Sequence, residues 1–273
     1  MNNNTIFGIS GSKIEIKQNV VIKTSTNITR FEKQIEKQTN FKHQQYFKTP
    51  KINSILYQPS SLQCTMEYID GMDCITYFNL ADKTTLLNIV DKIFNFIDSN
   101  IDNSKFVFVD KDILLNKIES INFENTLKQE VFKYIYAIND IKLLLPIGEC
   151  HGDFTFVNMI YQNDKIYLLD FLDCYLESPI QDIVKLRQET NFFWSIFEHK
   201  HKTSKNLNYS KIAASYKFLD NIVDEHYKKF DWYNKFYSLF QIINLCRILP
   251  YVKIKEINEY IQDCIKKLLK GQK

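Results

Sequence analysis

One stretch of this chain, from His151 to Asp182, constrains the fold more than any other. It reads HGDFTFVNMIYQNDKIYLLDFLDCYLESPIQD and concentrates acidic and amide side chains between apolar runs. The run from Ile166 to Leu169 is typical of a buried β-strand, and the next residue is Asp170. A carboxylate at the point where a buried strand ends faces a cleft and not the core. The stretch therefore predicts a strand that carries a polar site at its end.

Two further side chains of this stretch are spaced so that a tight loop can aim them at one point. Asn158 follows Asp153 by five residues. One carboxylate that accepts a proton, together with an Asn and an Asp that offer hard oxygen ligands, is the set that Mg²⁺-dependent phosphoryl transfer requires. The residues themselves therefore indicate Asp153 as a catalytic base, and Asn158 and Asp170 as magnesium ligands.

The same residues carry a resemblance to a known family. The segment HGDFTFVN, from His151 to Asn158, and the following LLDF around Asp170 resemble the catalytic and metal-binding segments of the aminoglycoside phosphotransferase/choline kinase superfamily. The protein-kinase catalytic loop, H-R-D-x-x-x-x-N, has the same Asp-to-Asn spacing, and a Gly in place of its Arg resembles the small-molecule branch. HGD alone could be a coincidence before a core strand, but the full spacing with Asp170 is specific.

The resemblance implies an α+β, bilobal, protein-kinase-like fold. A small antiparallel β-sheet with one helix would form an N-terminal nucleotide-binding lobe over residues 1–70. Residues 71–273 would form a larger, mainly helical lobe for catalysis and substrate binding. The implied cofactors are ATP (or GTP) and Mg²⁺, and the implied substrate is a small molecule with a hydroxyl group.

The N-terminal segment contains candidates for holding the nucleotide phosphates. Strand-like residues surround a Gly-containing turn, with Gly8, Ser10 and Gly11, whose backbone N–H groups can approach phosphates. Because this is only a fragment of a glycine-rich loop, it is also compatible with a plain hairpin. The β-branched run Val20-Val21-Ile22 leads into Lys23, which resembles the V-A-I-K lysine that holds the α- and β-phosphates.

A polar helix is predicted next, because Phe31 and Ile35 stand four positions apart and mark one buried face. The resemblance implies that a glutamate on this helix pairs with Lys23. Glu36 and Glu32 both qualify by residue type, and its mid-helix position favours Glu36. A solvated acid on the helix surface is the alternative for either residue.

An apolar strand then closes on Glu67-Tyr68-Ile69, followed after one residue by Gly71. This segment resembles the link between the two lobes of the superfamily, which implies that the backbone of Glu67 to Ile69 bonds the purine edge. Gly71 would let the chain turn into the larger lobe. From Ile75 onward the apolar spacing predicts mainly helices, among them residues 113–121, 123–138, 209–227, 232–249 and 254–269.

Three residues of the opening stretch are implied supports. The resemblance implies that His151 ties the catalytic loop to the metal segment, and that Asp182 braces that loop from the start of a helix. Asp182 would also suit the helix dipole alone. Asp173 could support metal or substrate, or only shape a turn. Leu172 replaces the Gly of the protein-kinase D-F-G, which argues against a flipping activation segment.

Composition excludes several classes of function. The 273 residues include 35 basic and 32 acidic side chains, a net charge of +3, which favours neither a nucleic-acid nor a membrane partner. No apolar run approaches the length of a membrane span, and no signal region is apparent. The six cysteines include no CxxC pair, so neither a zinc site nor a redox motif is expected. We therefore expect a cytoplasmic protein with reduced thiols, and its oligomeric state is left open.

The phosphoryl acceptor is the least constrained part of the function. Aromatic clusters within residues 192–197 and 230–237 could form a cage for a choline-type ammonium, stack on a sugar or fill a helical core. An acidic pocket for an aminoglycoside could draw on Asp220, Asp224 and Glu225. We expect a sugar, an amino sugar or an amino alcohol such as choline. The alternatives are an aminoglycoside-modifying enzyme, a protein kinase-like enzyme and a pseudokinase that only binds nucleotide.

Overall fold

The computed structural model describes residues 4–7, 11–42, 44–140, 142–202 and 207–271. The chain divides into two compact units. The first unit contains Met1–Tyr77 and His151–Asp173, and the second contains Phe78–Cys150 and Cys174–Lys273. The chain therefore enters the first unit twice. The lobe boundary between residues 70 and 71 remains a prediction.

The strands of the described chain form three sheets. They are β1 (Asn4–Phe7), β2 (Lys13–Lys17), β3 (Val20–Ser25), β4 (Phe47–Lys48), β5 (Ile52–Gln58), β6 (Ser61–Glu67), β7 (Lys105–Asp110), β8 (Lys142–Ile147), β9 (Met159–Gln162) and β10 (Lys165–Leu168). The first unit contains an antiparallel sheet of order β1-β2-β3-β6-β5 and a small sheet of order β4-β10-β9. Strands β7 and β8 pair as an antiparallel ladder in the second unit.

The helices lie mostly in the second unit. They are α1 (Ile28–Asn40), α2 (Cys74–Leu80), α3 (Lys83–Asp102), α4 (Asp112–Glu119), α5 (Asn125–Ala137), α6 (Pro179–Thr190), α7 (Trp194–Lys202), α8 (Tyr209–Tyr227), α9 (Asp231–Ile248) and α10 (Lys255–Lys270). No helix in the described part of the chain is long and apolar enough to cross a membrane. The small antiparallel sheet with α1, and the helical second unit, confirm the predicted α+β class.

The antiparallel sheet and α1 share a small core. Phe31 and Ile35, the two residues that mark the buried face of α1, pack against Leu62 and Cys64 of β6. Asn27 caps the start of α1, where its side-chain oxygen accepts the N–H of Arg30 at 3.2 Å. The four-residue spacing therefore determines which face of α1 covers the sheet.

Helix α6 is buried along its whole length in the second unit. Its cap is Ser178, whose hydroxyl accepts the N–H of Ile180 at 3.4 Å and donates to the Pro146 carbonyl at 2.6 Å. It packs against α3, α8 and α9. Because a central helix has no solvent-facing side, its charged residues need partners inside the protein.

The ladder of β7 and β8 was not predicted from the sequence, which favours helices in this part of the chain. Phe106 pairs with Pro146 and Phe108 with Leu144, although α4 and α5 lie between the two strands. The run Phe-Val-Phe-Val in β7 is rich in strand-forming residues, but a sequence window does not show which distant segment it pairs with. The ladder is therefore a feature that only the folded chain reveals.

Candidate active site

Lys23 and Asp170 form an ion pair in the first unit. Lys23 lies in β3 and is 7% exposed, and its Nζ is 2.6 Å from Asp170 Oδ1. Asp170 follows β10 closely and has a φ of 56°, a left-handed conformation that residues other than glycine rarely adopt. Its side chain remains 47% exposed, so a cation can reach the carboxylate. Backbone conformations of this kind are often found at functional sites.

Asp153 and Asn158 are brought together by a tight turn. The N–H of Thr155 donates to the Asp153 carbonyl at 2.7 Å, and the N–H of Asn158 donates to the Thr155 carbonyl at 3.1 Å. Asn158 Nδ2 donates to Asp153 Oδ2 at 2.8 Å and to the Asp153 carbonyl at 3.0 Å. Because the amide nitrogen is used within the turn, the amide oxygen of Asn158 is the atom left for a hard cation.

His151 connects this turn to the segment that follows β10. Its ring is buried, its Nδ1 accepts the N–H of Asp153 at 3.2 Å, and its carbonyl accepts the N–H of Leu172 at 3.1 Å. The ring packs against Phe171 with 4.3 Å between centroids. Burial lowers the pKa of His151 to about 4, although Asp153 opposes this shift. The scaffold role of His151 remains a prediction.

We expect His151 to remain neutral at pH 5 and above. Its pKa of about 4 lies below the ordinary value of 6.5, so the unfolded state takes up the extra proton first as the pH falls. The free energy of unfolding should therefore decrease below pH 6.5, by about 2 kcal/mol at pH 5, from about 1.36 kcal/mol per pH unit. Urea unfolding at pH 7 and pH 5 measures this loss.

The control for this prediction is His151→Asn, because an Asn oxygen can still accept the N–H of Asp153. The variant should lose the part of the pH dependence that His151 contributes. An NMR titration gives an independent readout, since the ring signals should not shift between about pH 5.5 and pH 8. A titration near pH 6.5 in the folded protein would contradict the prediction.

Two lysines of α1, which the motifs in the sequence do not indicate, also bind the segment after β10. Lys33 Nζ lies 2.8 Å from Asp173 Oδ2, and Lys37 Nζ donates to the Leu172 carbonyl at 2.8 Å. These lysines are four positions apart and so share one side of the helix. With Lys23, they give the segment containing Asp170 and Asp173 three lysine partners. The four-residue spacing of the two lysines was the available signal.

The expected ion pair between Lys23 and Glu36 is not formed in the structure. Lys23 pairs instead with Asp170. The α1 residue that contacts Lys23 is Phe31, whose ring centroid lies 5.3 Å from Lys23 Nζ. Glu36 lies on the exposed side of α1. Glu32, the other option, is hydrogen-bonded to Tyr57 and raises the pKa of that phenol. The helix turns an aromatic residue, and not an acid, toward the lysine.

Residues 67–69, the predicted link between the two lobes, make backbone hydrogen bonds to neighbouring segments. The N–H of Glu67 donates to the Lys51 carbonyl at 2.9 Å, and the N–H of Tyr68 donates to the Asn19 carbonyl at 3.2 Å. These bonds use the N–H groups of Glu67 and Tyr68. Ile69 itself is buried. The role of all three residues in binding a base remains a prediction.

Gly71 is required for a reason that the sequence did not indicate. A Cβ at this position would lie 2.5 Å from Ile160 Cγ2 and 2.8 Å from the Tyr161 carbonyl oxygen. The neighbouring Met72 exchanges both backbone hydrogen bonds with Tyr161, at 2.8 and 2.9 Å. Close approach to β9, and not an unusual backbone angle, therefore explains this glycine.

The glycine-containing turn is only partly described. Gly8 and Ser10 lie outside the described residues. Gly11 has a φ of 82°, a conformation suited to glycine, and a Cβ there would meet no atom within 4 Å. Asp182 is buried in α6 of the second unit. The roles predicted for these four residues remain predictions.

Two of the three acids considered for an aminoglycoside pocket, Asp220 and Asp224, bind the buried Arg187 in the second unit, whereas Glu225 is exposed and pairs with Lys228. Arg187 donates to both carboxylate oxygens of Asp220, at 2.9 and 3.1 Å, and also to Asp224 and the Tyr233 hydroxyl. Burial lowers the pKa of Arg187, but Tyr237, Asp220 and Tyr233 raise it on balance, so the guanidinium stays charged. Asp220 and Asp224 are therefore neutralised from inside the protein.

Four of the nine aromatic residues in these clusters are part of the core, and the other five are partly exposed. Phe230 and Trp232 stack at 5.3 Å between ring centroids, and Tyr233 lies 5.0 Å from Tyr237 by the same measure. For the four buried residues, burial supports the core interpretation over a cage for an ammonium group. The buried members are Phe192, Trp232, Tyr233 and Phe236.

Comparison with known proteins gives matches at the level of structure. No protein-family model matches the sequence, and no curated protein matches it significantly. A thermostable mutant of aminoglycoside phosphotransferase APH(4)-Ia, in a ternary complex with AMP-PNP and hygromycin B, is 10% identical, with 98% of this chain and 93% of that chain covered and a TM-score of 0.63. The chain has the fold of the aminoglycoside phosphotransferases.

A second structure with the kinase-like fold extends this result. A choline/ethanolamine kinase family protein from Mesorhizobium loti is 12% identical, with 100% of this chain and 89% of that chain covered and a TM-score of 0.52. At such low identity the likeness establishes the fold alone. The predicted kinase-like architecture is thereby confirmed. Within that fold, Lys23, Asp153, Asn158 and Asp170 all belong to one compact unit.

Proposed function

We propose that this protein is an ATP-dependent phosphotransferase that moves the γ-phosphate to a hydroxyl group of a small polar molecule. The observation that carries the proposal is the pairing of Lys23 with Asp170, and of Asp153 with Asn158, within one unit of a kinase-like fold. A protein of the same fold binds AMP-PNP together with a small molecule, which supports ATP as the phosphoryl donor.

Asp153 is the proposed catalytic base. Asn158 Nδ2 holds Oδ2 of this carboxylate at 2.8 Å, and His151 receives the backbone N–H of the same residue. The carboxylate would accept the proton of the acceptor hydroxyl as the new bond to phosphorus forms. Because positioning supplies most of the acceleration in this chemistry, the hydrogen bonds that orient Asp153 matter as much as its charge.

Asp170 and Asn158 are the proposed ligands of Mg²⁺. The exposed carboxylate of Asp170 and the amide oxygen of Asn158 are hard oxygen donors, so the residues present fit this cation. These two residues would hold Mg²⁺, which would supply positive charge to offset that of the phosphates. Lys23 supplies a second positive charge for the phosphates, and its contact with Asp170 holds the two groups in place before any ligand binds.

The proposed acceptor is a sugar, an amino sugar or an amino alcohol. A polycationic aminoglycoside would need uncompensated acids, whereas Asp220 and Asp224 are already paired with Arg187. A quaternary ammonium would need an open aromatic cage, whereas Trp232 and Phe236 are buried. Both observations argue against an aminoglycoside or choline held by these residues, and they leave a sugar, an amino sugar or another amino alcohol as the proposed acceptor.

ATP consumption with a panel of acceptors tests the proposal. The purified protein with Mg²⁺ is assayed against sugars, amino sugars, amino alcohols and aminoglycosides, with ATP and GTP compared as donors. We expect turnover with one of the first three classes and a product heavier by one phosphate group. Turnover with peptides alone would indicate a protein kinase-like enzyme. Binding of nucleotide without turnover of any acceptor would contradict the proposal.

A further inference from the structure

Three side chains of metal-ligand type meet in the second unit, although the sequence predicted no zinc site. Cys150 Sγ lies 4.0 Å from Cys174 Sγ and 3.2 Å from Glu177 Oε2. The three ligand atoms all lie within 4.8 Å of one another. The sequence contains the spacing Cys174-x-x-Glu177, but the third member, Cys150, is 24 positions away from Cys174. Only the folded chain therefore brings the set together.

The backbone holds these three residues in place. The N–H of Cys174 donates to Glu177 Oε1 at 3.0 Å, which turns the other carboxylate oxygen toward Cys150. The Glu177 carbonyl accepts the N–H of Gly148 at 3.1 Å, and Ser178 Oγ donates to a carbonyl of β8 at 2.6 Å. Hydrogen bonds that orient ligands before binding are typical of the surroundings of metal sites.

The distance between the sulfur atoms favours a metal over a disulfide. Two thiolates on one tetrahedral zinc ion, each about 2.3 Å from the metal, lie about 3.8 Å apart. The observed separation is 4.0 Å. A disulfide requires about 2.05 Å, so the sulfurs would have to move by about 2 Å. We propose that Cys150, Cys174 and Glu177 bind one Zn²⁺ ion, with a fourth position left to water.

This zinc site would join two parts of the chain that are distant in sequence. The chain leaves the second unit after Cys150 and returns to it at Cys174, so the site lies at both ends of the segment His151–Asp173. A bound ion would add two metal–sulfur bonds where the present contacts are hydrogen bonds. The inference does not depend on the proposed phosphotransferase activity, because its test measures metal binding and not turnover.

Zinc titration of the reduced protein tests the inference. The full chain is stripped with a chelator and titrated with Zn²⁺ against a chromophoric chelator, in excess Mg²⁺ so that hard oxygen ligands are occupied. We expect one zinc ion per chain, with release of about two protons per ion because both cysteines must ionise. Replacement of Zn²⁺ by Co²⁺ should produce a thiolate-to-metal charge-transfer band.

Serine variants identify the ligands. Cys150→Ser and Cys174→Ser should each weaken zinc binding by more than about 100-fold, the upper range for residues that only support a ligand. The matched control is Cys264→Ser, which replaces a buried cysteine of α10 in the same unit and should leave zinc affinity unchanged. Circular dichroism of the metal-free proteins verifies folding, and Glu177→Gln provides a ligand variant that retains an acceptor for the N–H of Cys174.

Three results would overturn the inference. One is the absence of zinc uptake by the reduced wild-type protein. Another is equal zinc affinity in the wild type and in the folded cysteine or Glu177→Gln variants. The third is a disulfide between Cys150 and Cys174, found by mass spectrometry, in a protein that takes up no zinc, which would identify the pair as a redox site.

Discussion

Replacing Asp153 by alanine is expected to lower kcat by about 10²–10⁴-fold, the usual contribution of a general base. The acceptor hydroxyl loses the group that takes its proton, and Asn158 Nδ2 loses the carboxylate oxygen that it contacts at 2.8 Å. Nucleotide affinity should change little, because Lys23 and Asp170 remain paired. Steady-state kinetics with the best acceptor of the panel, together with a separate nucleotide titration, measure the two effects.

One further variant separates proton acceptance from positioning, and a second serves as a control. Asp153→Asn retains the size of the side chain and an oxygen for Asn158, but it cannot act as a base, so kcat should fall as far as in Asp153→Ala. Asp164→Ala removes an exposed carboxylate of the first unit, in the turn between β9 and β10, and should leave kcat unchanged. An unchanged rate in folded Asp153→Ala protein would eliminate the base assignment.

Replacing Arg187 by alanine is expected to destabilise the protein by about 3–5 kcal/mol, the usual cost of breaking a buried ion pair. The variant leaves Asp220, which is almost fully buried, without its two bonds from the guanidinium. It also removes the cation that packs 4.4 Å from the centroid of the Tyr237 ring. Urea unfolding at neutral pH, followed by circular dichroism, measures the change.

Two controls show whether the loss of stability comes from the Asp220 carboxylate, which no longer has its arginine partner. Arg30→Ala removes an exposed arginine of α1 and should change stability by less than about 0.5 kcal/mol. The double variant Arg187→Ala/Asp220→Ala should lose less than the sum of the two single variants, because the residues are in direct contact. A loss below about 1 kcal/mol in Arg187→Ala would show that the network does not stabilise the fold.

Features built from neighbouring residues could be predicted from the sequence. Helix α8 begins at Tyr209 and ends at Tyr227, as the apolar spacing predicts. The turn that joins Asp153 to Asn158 spans five positions, and its two side chains meet as their spacing predicts. In both cases, the contacts that stabilise the element join residues only a few positions apart. The sequence pattern therefore predicts these contacts directly.

Features built from distant residues could not be predicted in the same way. The sequence favours Glu36, or else Glu32, of α1 as the partner of Lys23, but in the structure Lys23 pairs with Asp170, which is 147 positions away. The contact of Lys33 with Asp173 is also distant, and so is the ladder of β7 with β8. Which of several acids meets a lysine depends on how helices and strands pack, and a single sequence does not specify that choice.

The sequence by itself determined the spacing of the polar residues between His151 and Asp173, and with it the expected chemistry. Only the tertiary structure decided which charges neutralise one another and which side chains meet across the fold. It paired Arg187 with Asp220 and brought Cys150 to Cys174. The physical reason is the separation of the interacting residues along the sequence. Hydrogen bonds within a turn join residues a few positions apart, whereas the residues of these ion pairs and of the proposed metal site are brought together only when helices and strands pack.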